Sequence, residues 1–213
     1  VQCIEMQQNT GFAGGYNNAL HQIDAEYFIL LNSDIEVTPQ WVEPIIEFMI
    51  QHADVAACQP KILAYNQKDF FEHAGACGGY IDYLGFPFCR GRIFNSLEKD
   101  ENQYPDNKEI FWATGAAMFI RSNVFKATGG FDADFFAHME EIDLCWRMKH
   151  CGYKLYCIPA SKVYHVGGGT LHKSNPKKTY LNFRNNLMML LKNLPSGSRF
   201  SVFVKRLFLD KLA

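Results

Sequence analysis

The stretch Tyr27-Phe-Ile-Leu-Leu-Asn-Ser-Asp34 decides the fold class. Five apolar residues in a row are the pattern of a strand buried on both faces of a parallel sheet. The run ends in Asn32-Ser33-Asp34. A carboxylate therefore stands just past the carboxyl end of a strand, where open α/β sheets bind their ligands. Working outward, Thr38 and Pro39 predict a helix start, since Thr caps well and Pro suits the first helical position. Trp41, Val42, Ile45, Ile46, Met49 and Ile50 then recur at helical spacing. Residues 55–63 read as a strand interrupted by Pro60, and residues 116–120 as a short buried strand. A helix from Ser122 is predicted to end at Gly129-Gly130, where glycine permits a left-handed cap. A second, acid-bearing helix runs to about Cys151 and stops at Gly152. Residues 154–158 and 162–166 are two final strands around Pro159-Ala160. Upstream, residues 1–6 read as a strand, and a Gly-rich turn at residues 11–15 leads into a helix over about residues 17–25. Strands alternating with helices imply a Rossmann-like α/β domain with a mostly parallel sheet flanked by helices. Residues 66–105 are looser and read as short strands in a long excursion over the active-site face, with residues 95–108 its most mobile part.

The chain has 213 residues, 48% of them hydrophobic and 15% aromatic, enough for one domain with a sizeable core. A formal charge of −1 argues against a nucleic-acid groove, which needs a clustered basic excess. Seven scattered cysteines form no Cys-x-x-Cys pair, so zinc is disfavoured and reduced thiols in the cytoplasm are expected. No apolar run approaches the ~20 residues that span a bilayer. The expected organisation is a catalytic unit over residues 1–178 and a C-terminal helical segment over residues 179–213. In that segment residues 199–212 mix Phe200, Phe203, Leu207 and Phe208 with Arg199, Lys205, Arg206 and Lys211. Two readings stand side by side: a basic amphipathic helix lying in the inner face of the plasma membrane, or a helix packed on its own domain.

The chemistry is concentrated at Phe136-Ala-His-Met-Glu-Glu-Ile-Asp-Leu-Cys-Trp-Arg-Met148. Glu140 and Glu141 open a helix, and Asp143 follows. First-turn acids also simply suit the helix dipole. Adjacent carboxylates, however, disfavour joint ionisation, which raises one pKa toward the working range of a general base. Val163-Tyr164-His165 leads into the triplet Gly167 to Gly169, which lets backbone pass close to a phosphate. Taken alone, Asn-x-Asp is most often a turn and an isolated histidine most often a packed residue. An acid at a strand end, a carboxylate on a helix and a histidine after another strand are together the parts needed to hold a divalent metal and deprotonate a hydroxyl. A carboxylate such as Asp34 suits hard ions that also take substrate phosphates.

The blocks Asn9-Thr-Gly-Phe-Ala-Gly-Gly-Tyr-Asn-Asn-Ala-Leu20, Asn32-Ser-Asp34, Gly115-Ala-Ala-Met-Phe-Ile-Arg121, Gly129-Gly-Phe-Asp132, Glu140-Glu-Ile-Asp-Leu144 and His165 run in this order over most of the chain. The order resembles family 2 of the GT-A glycosyltransferases, in its rhamnosyltransferase-like branch. The resemblance implies inverting transfer of a sugar from a nucleotide sugar donor to a hydroxyl of a glycan or lipid-linked acceptor, in cell-surface polysaccharide synthesis. It implies that Asp34 and His165 hold Mg²⁺ or Mn²⁺, and that Glu141 is the base. Glu140 or Asp143 would orient the base or the acceptor. Gly14, Gly15, Asn18 and Asn32 would contact the donor, and Trp112 and Thr114 would face the acceptor. The family usually reads Glu-Asp where this chain has Glu140-Glu141. Two other classes compete: a non-catalytic glycan-binding or scaffold relative, and a sugar nucleotidyltransferase. The latter needs a basic Gly-rich phosphate loop near the start, which this sequence lacks. The pattern enters at the family's second strand, so a preceding strand–helix unit of roughly 40–60 residues is expected upstream.

Overall fold

A computed structural model describes residues 3–73, 75–94, 96–167 and 176–211. Helix α1 (Gly11–Leu20) is followed by β1 (Tyr27–Leu31), β2 (Ile35–Val37), α2 (Glu43–Gln51) and β3 (Val55–Ala64). The excursion then contributes β4 (Gln67–Phe71), β5 (Gly79–Ile81), β6 (Pro87–Cys89), β7 (Arg92–Ile93), β8 (Ser96–Leu97) and β9 (Lys108–Ile110). The chain returns through β10 (Ala117–Arg121), α3 (Ser122–Ala127), α4 (Glu140–His150) and β11 (Lys154–His165), and closes with α5 (Pro176–Asn193) and α6 (Ser196–Leu209).

The main sheet has the order β1-β10-β3-β11-β2, with β4 on β3 and β9 on β11. This corrects the expectation of a mostly parallel sheet. Among the described residues only β3 and β11 pair in parallel; β1–β10, β10–β3, β11–β2, β3–β4 and β11–β9 are antiparallel. Counting strands and helices does not report direction here. The long excursion after β3 lets β10 enter the sheet from the opposite end, which an antiparallel neighbour permits without a crossover. Two antiparallel steps restore the direction, so β1, β3 and β11 run the same way. Their carboxyl ends share one edge, and Asp34 and His165 both lie there.

β1 is also an end strand. Phe28 and Leu30 are buried, whereas Ile29 and Leu31 are 39% and 36% exposed, so the run is not covered on both faces as its composition predicted. Three boundaries shift for local reasons. The predicted Gly-rich turn is helical from Gly11, because the backbone N–H groups of Phe12 and Ala13 both donate to the carbonyl of Phe136 and cap the helix. The hydroxyl of Thr38 donates to the Lys162 carbonyl at 2.7 Å instead of capping, and α2 starts at Glu43-Pro44. Residues 154–165 form one strand with a register shift between Ile158 and Lys162 opposite Pro60, so the sheet absorbs both prolines in an irregularity. The described part of residues 1–6 is not a strand.

The core joins Phe28, Leu30, Met118, Ile120, Phe125, Phe135, Leu144, Met148 and Met189 beneath α3, α4 and α5. Leu84, Leu190 and Val202 extend it under α6, where buried Arg206 donates to the Leu84 carbonyl at 3.0 Å and pairs with Asp210 at 3.1 Å. The inner faces of both C-terminal helices thus pack on the domain.

Candidate functional site

Asp34 sits in the turn after β1, and its neighbour Asn32 donates its backbone N–H to the Ala116 carbonyl at 2.9 Å. The carbonyl of Asp34 accepts from the Val166 N–H at 3.1 Å, which ties that turn to the end of β11. The side chains then meet: Asp34 Oδ1 lies 3.3 Å from His165 Nε2. On the far side of the ring, Glu72 Oε1 lies 3.6 Å from Nδ1, too long for a hydrogen bond but an effective electrostatic contact. Burial lowers the His165 pKa, yet the two carboxylates outweigh it and the net shift is upward. Gly167 has φ +70, and a Cβ there would stand 2.9 Å from Glu72 Oε1, so the close approach of backbone to this carboxylate requires glycine. Gly168, Gly169 and Thr170 fall outside the described residues.

The histidine's surroundings fit a metal ligand. Two ligands at right angles on ~2.1 Å bonds stand about 3 Å apart, close to the Asp34–His165 separation. Nδ1 is buried and has no hydrogen-bond partner among the described residues, while Glu72 stands beside it, the usual outer partner of a ligating imidazole. No group of three or more His, Cys, Asp or Glu at metal-binding geometry exists among the described residues. Two protein donors would leave the other positions to water and phosphate oxygens, which suits Mg²⁺ or Mn²⁺. Sequence reading missed Glu72, because it belongs to an irregular excursion whose partners no periodicity reveals.

Glu141 lies in a second place, in the wall of a cavity of about 190 Å³ that also includes His73, Arg92, Trp112, His138 and Asn182. Burial pushes its pKa up to about 7. Glu140 is 4% exposed, and burial followed by the charge of Glu141 drives its pKa well above the usual carboxyl range. Of the two acids, only Glu141 lines the cavity. Burial and then the charge of Lys178 lower the His138 pKa, and its Nε2 has no hydrogen-bond partner among the described residues. The cavity and the histidine–aspartate corner adjoin through consecutive residues: Glu72 faces His165, and His73 lines the Glu141 cavity.

The turn before α4 is strained. Phe136, His138 and Met139 all have positive φ (62, 73 and 73), a region that disfavours side chains other than glycine. Fully buried Asn185 on α5 holds it, donating through Nδ2 to the carbonyls of Phe135, Ala137 and His138 at 2.9, 2.8 and 2.7 Å. Asn185→Leu leaves those carbonyls without their donor and is expected to cost about 2–4 kcal/mol of stability, measured by urea unfolding. A loss under ~0.5 kcal/mol would show that the turn holds its own shape.

Asp143 does not face the cavity, which corrects its expected orienting role. It is fully buried, with Oδ2 bonded to Arg147 at 2.8 Å and Lys192 at 3.0 Å, and Oδ1 accepting from Asn193 at 2.8 Å. Its carboxylate fastens α4 to α5. Trp112 lines the cavity while donating Nε1–H to the Tyr80 carbonyl at 2.9 Å, whereas Thr114 is buried, its backbone N–H on Gln59 at 3.1 Å. On α1, Gly14 is buried where a Cβ would clash with Thr10 at 2.8 Å, Gly15 has open space and Asn18 is exposed.

The model of glycosyl transferase family 2 matches residues 1–129. An N-acetylglucosaminyl-diphospho-decaprenol L-rhamnosyltransferase of Mycobacterium tuberculosis is 23% identical over 183 residues, covering 78% of this chain and 58% of that protein. The O-antigen biosynthesis protein RfbC of Myxococcus xanthus is 28% identical over 153 residues, 70% of this chain and 12% of its own length. The rhamnosyltransferase WbbL of Escherichia coli is 35% identical over 65 residues, 30% of this chain and 24% of its own length. The chain thus spans little more than half the length of these relatives at most. Among solved structures, GalNAc-T7 with UDP, GalNAc and Mn²⁺ superposes with a TM-score of 0.62 at 14% identity, over 87% of this chain and 35% of that one. The mannosyltransferase PcManGT of Pyrobaculum calidifontis, with GDP-Man and Mn²⁺, gives 0.56 at 10% identity, over 96% and 51%. Both share the fold.

Proposed function

Because the chain belongs to glycosyl transferase family 2, we propose that it carries out inverting transfer of a sugar from a nucleotide diphosphate sugar to a hydroxyl of a glycan or lipid-linked acceptor, in cell-surface polysaccharide synthesis. The observation that carries this reading is the adjacency of two parts. A hard-ion corner, Asp34 and His165, stands next to a cavity whose wall holds a carboxyl group with a pKa of about 7.

In this mechanism Asp34 and His165 would hold Mg²⁺ or Mn²⁺, which when bound neutralises charge on the leaving diphosphate. The rest falls to the chain. The Glu141 carboxylate takes the proton of the acceptor hydroxyl as that oxygen attacks the anomeric carbon opposite the diphosphate. The carbon–oxygen bond to the diphosphate breaks with its electron pair leaving on the phosphate oxygen, and one displacement inverts the centre. Glu140 lies deeper, and burial together with the charge of Glu141 raises its pKa well above the usual carboxyl range, which disfavours a second negative charge beside Glu141. Asn32, Gly14, Gly15 and Asn18 are assigned to the donor side. Release of nucleotide diphosphate from donor alone, stimulated by Mn²⁺, tests the reading; a non-catalytic relative releases none.

Glu72 is assigned the role of orienting His165. Glu72→Gln is expected to weaken Mn²⁺-dependent nucleotide binding by about 10–100-fold, the usual effect of losing an outer carboxylate partner. Calorimetry that gives an unchanged Mn²⁺ affinity would reduce Glu72 to a packing residue.

The proposal extends to a cytoplasmic location at the inner face of the plasma membrane. No described helix is long and apolar enough to cross a membrane. Phe200, Val204, Leu207 and Phe208 repeat along the outer face of α6 at 81%, 50%, 59% and 70% exposure, beside exposed Lys205 and Lys211. Such a face suits an anionic lipid surface. All seven thiols are free, as the cytoplasm favours. Sedimentation with anionic vesicles but not with neutral ones is the expected result, and no sedimentation with either refutes the membrane contact.

A further inference from the structure

The cavity beside Glu141 contains a cation that the reaction described above does not use. Arg92, on β7, forms part of its wall. Its Nη1 lies 2.8 Å from Nε2 and 3.2 Å from Nδ1 of His73, and donates to the Phe94 carbonyl at 3.3 Å. Neither an imidazole nor a carbonyl carries a negative charge that would balance the guanidinium. Among the described residues no carboxylate forms an ion pair with Arg92, and its Nε is buried without a hydrogen-bond partner. Nor does it serve as the counter-ion of Glu141, whose pKa is set upward by burial. A guanidinium in a partly buried wall, with no carboxylate paired to it among the described residues, is a strong site for a two-oxygen anion.

The position of this cation is built. Gly91 is buried and its backbone packs so closely on Phe71 that a Cβ would stand 2.6 Å from the ring. The Gly91 carbonyl accepts from Glu98 N–H at 2.9 Å, and β7 pairs with β8. Arg92 is therefore carried into the cavity wall on a strand that begins just after the close-packed Gly91.

We propose that Arg92, backed by His73, binds a phosphate group carried by the acceptor, so that the cavity selects a sugar linked through phosphate over a neutral glycan. This rests on the glycosyltransferase reading, in which Glu141 marks the acceptor side. The phosphate oxygens take the Nε and outer Nη positions of the guanidinium, and the acceptor hydroxyl is presented to Glu141. Losing a charge-assisted bond of this kind costs about one to two orders of magnitude in affinity.

The test has a binding arm and a kinetic arm. In the first, inorganic pyrophosphate without metal is titrated calorimetrically into the protein, Arg92→Gln and Arg92→Lys. Binding should be lost in Arg92→Gln and partly kept in Arg92→Lys, which retains the charge but not the fork. Equal binding by all three overturns the proposal whether or not the protein is a transferase. In the second, two acceptors with the same sugar are compared, one a sugar-diphospho-lipid and one a neutral alkyl glycoside. Arg92→Gln should lower the diphosphate-over-neutral ratio of kcat/KM by about 10–100-fold. An unchanged ratio assigns Arg92 to packing, and an equal fall in acceptor-independent donor hydrolysis moves the guanidinium to the donor diphosphate; either result overturns the assignment. Failure of the unsubstituted protein to release nucleotide diphosphate at all counts against the transferase reading, while the pyrophosphate arm still decides the site.

Discussion

Glu141→Gln is expected to lower transfer by about 10²–10⁴ while donor binding survives, the range for losing a general base. The amide keeps the shape of the cavity wall but accepts no proton. Glu140→Gln should be milder, because Glu140 is buried behind the wall rather than in it. Rates that fall more for Glu140→Gln would show that the base is the other acid. In the unsubstituted protein kcat/KM should rise with pH through about 7, where Glu141 loses its proton, and this limb should vanish in Glu141→Gln. Stability runs the other way. Burial raises this carboxyl from its ordinary 4.5 to about 7, so the folded state holds the proton more tightly than the unfolded one. Stability contributed by the neutral form is complete below 4.5 and is lost as pH rises toward and past about 7. Glu141→Gln escapes that loss and should be more stable than the unsubstituted protein at pH 8, on the order of 1–2 kcal/mol once solvent screening is allowed for. Equal melting of the two proteins at pH 8 would show that the carboxyl is not desolvated. Glu141→Asp, one methylene shorter, tests whether the reach of the side chain matters.

Asp34→Ala is expected to abolish Mn²⁺-dependent donor binding, a larger loss than the ~10–100-fold typical of an outer-partner substitution. The corner has two protein donors 3.3 Å apart, and removing the carboxylate leaves a single imidazole with no hard oxygen. His165→Ala should fall in the same direction. Calorimetry of the donor nucleotide with and without Mn²⁺ measures both, and equal turnover with an unchanged Mn²⁺ response in both variants would refute the metal assignment. Neither variant should lose the fold, since the turn at Asp34 is held by the backbone bond from Val166 N–H.

Much of this was legible without coordinates, for reasons that differ from element to element. The α2 face of Ile45 and Met49 was readable because helical periodicity is local, and both are fully buried. α4 was readable because three acids open it and Gly152, at φ +86, ends it. Strand direction was not readable. Phe28, Leu30 and their neighbours specify a strand, but whether β10 lies beside it up or down depends on how the excursion after β3 returns. Exposure failed in the same way: Ile29 and Leu31 have the same chemistry as Leu30, but alternate residues of a strand point to opposite faces, and among the described residues only the face of Phe28 and Leu30 joins the core.

The site divides along the same line. By itself the sequence determined which residues have the chemistry: a carboxylate after the first strand, a histidine after the last, and a pair of acids opening a helix. Those are properties of residue type and local order. Tertiary structure alone decided their partners. It put Asp34 and His165 side by side by aligning the carboxyl ends of β1, β3 and β11, and it brought Glu72 to the back of the imidazole. It also separated three acids that lie within four positions. Glu141 faces a cavity, Glu140 is buried behind it, and Asp143 is bonded to Arg147, Lys192 and Asn193. Successive helical residues point about 100° apart, so what each meets is set by the elements packed around the helix, and these come from segments remote in sequence.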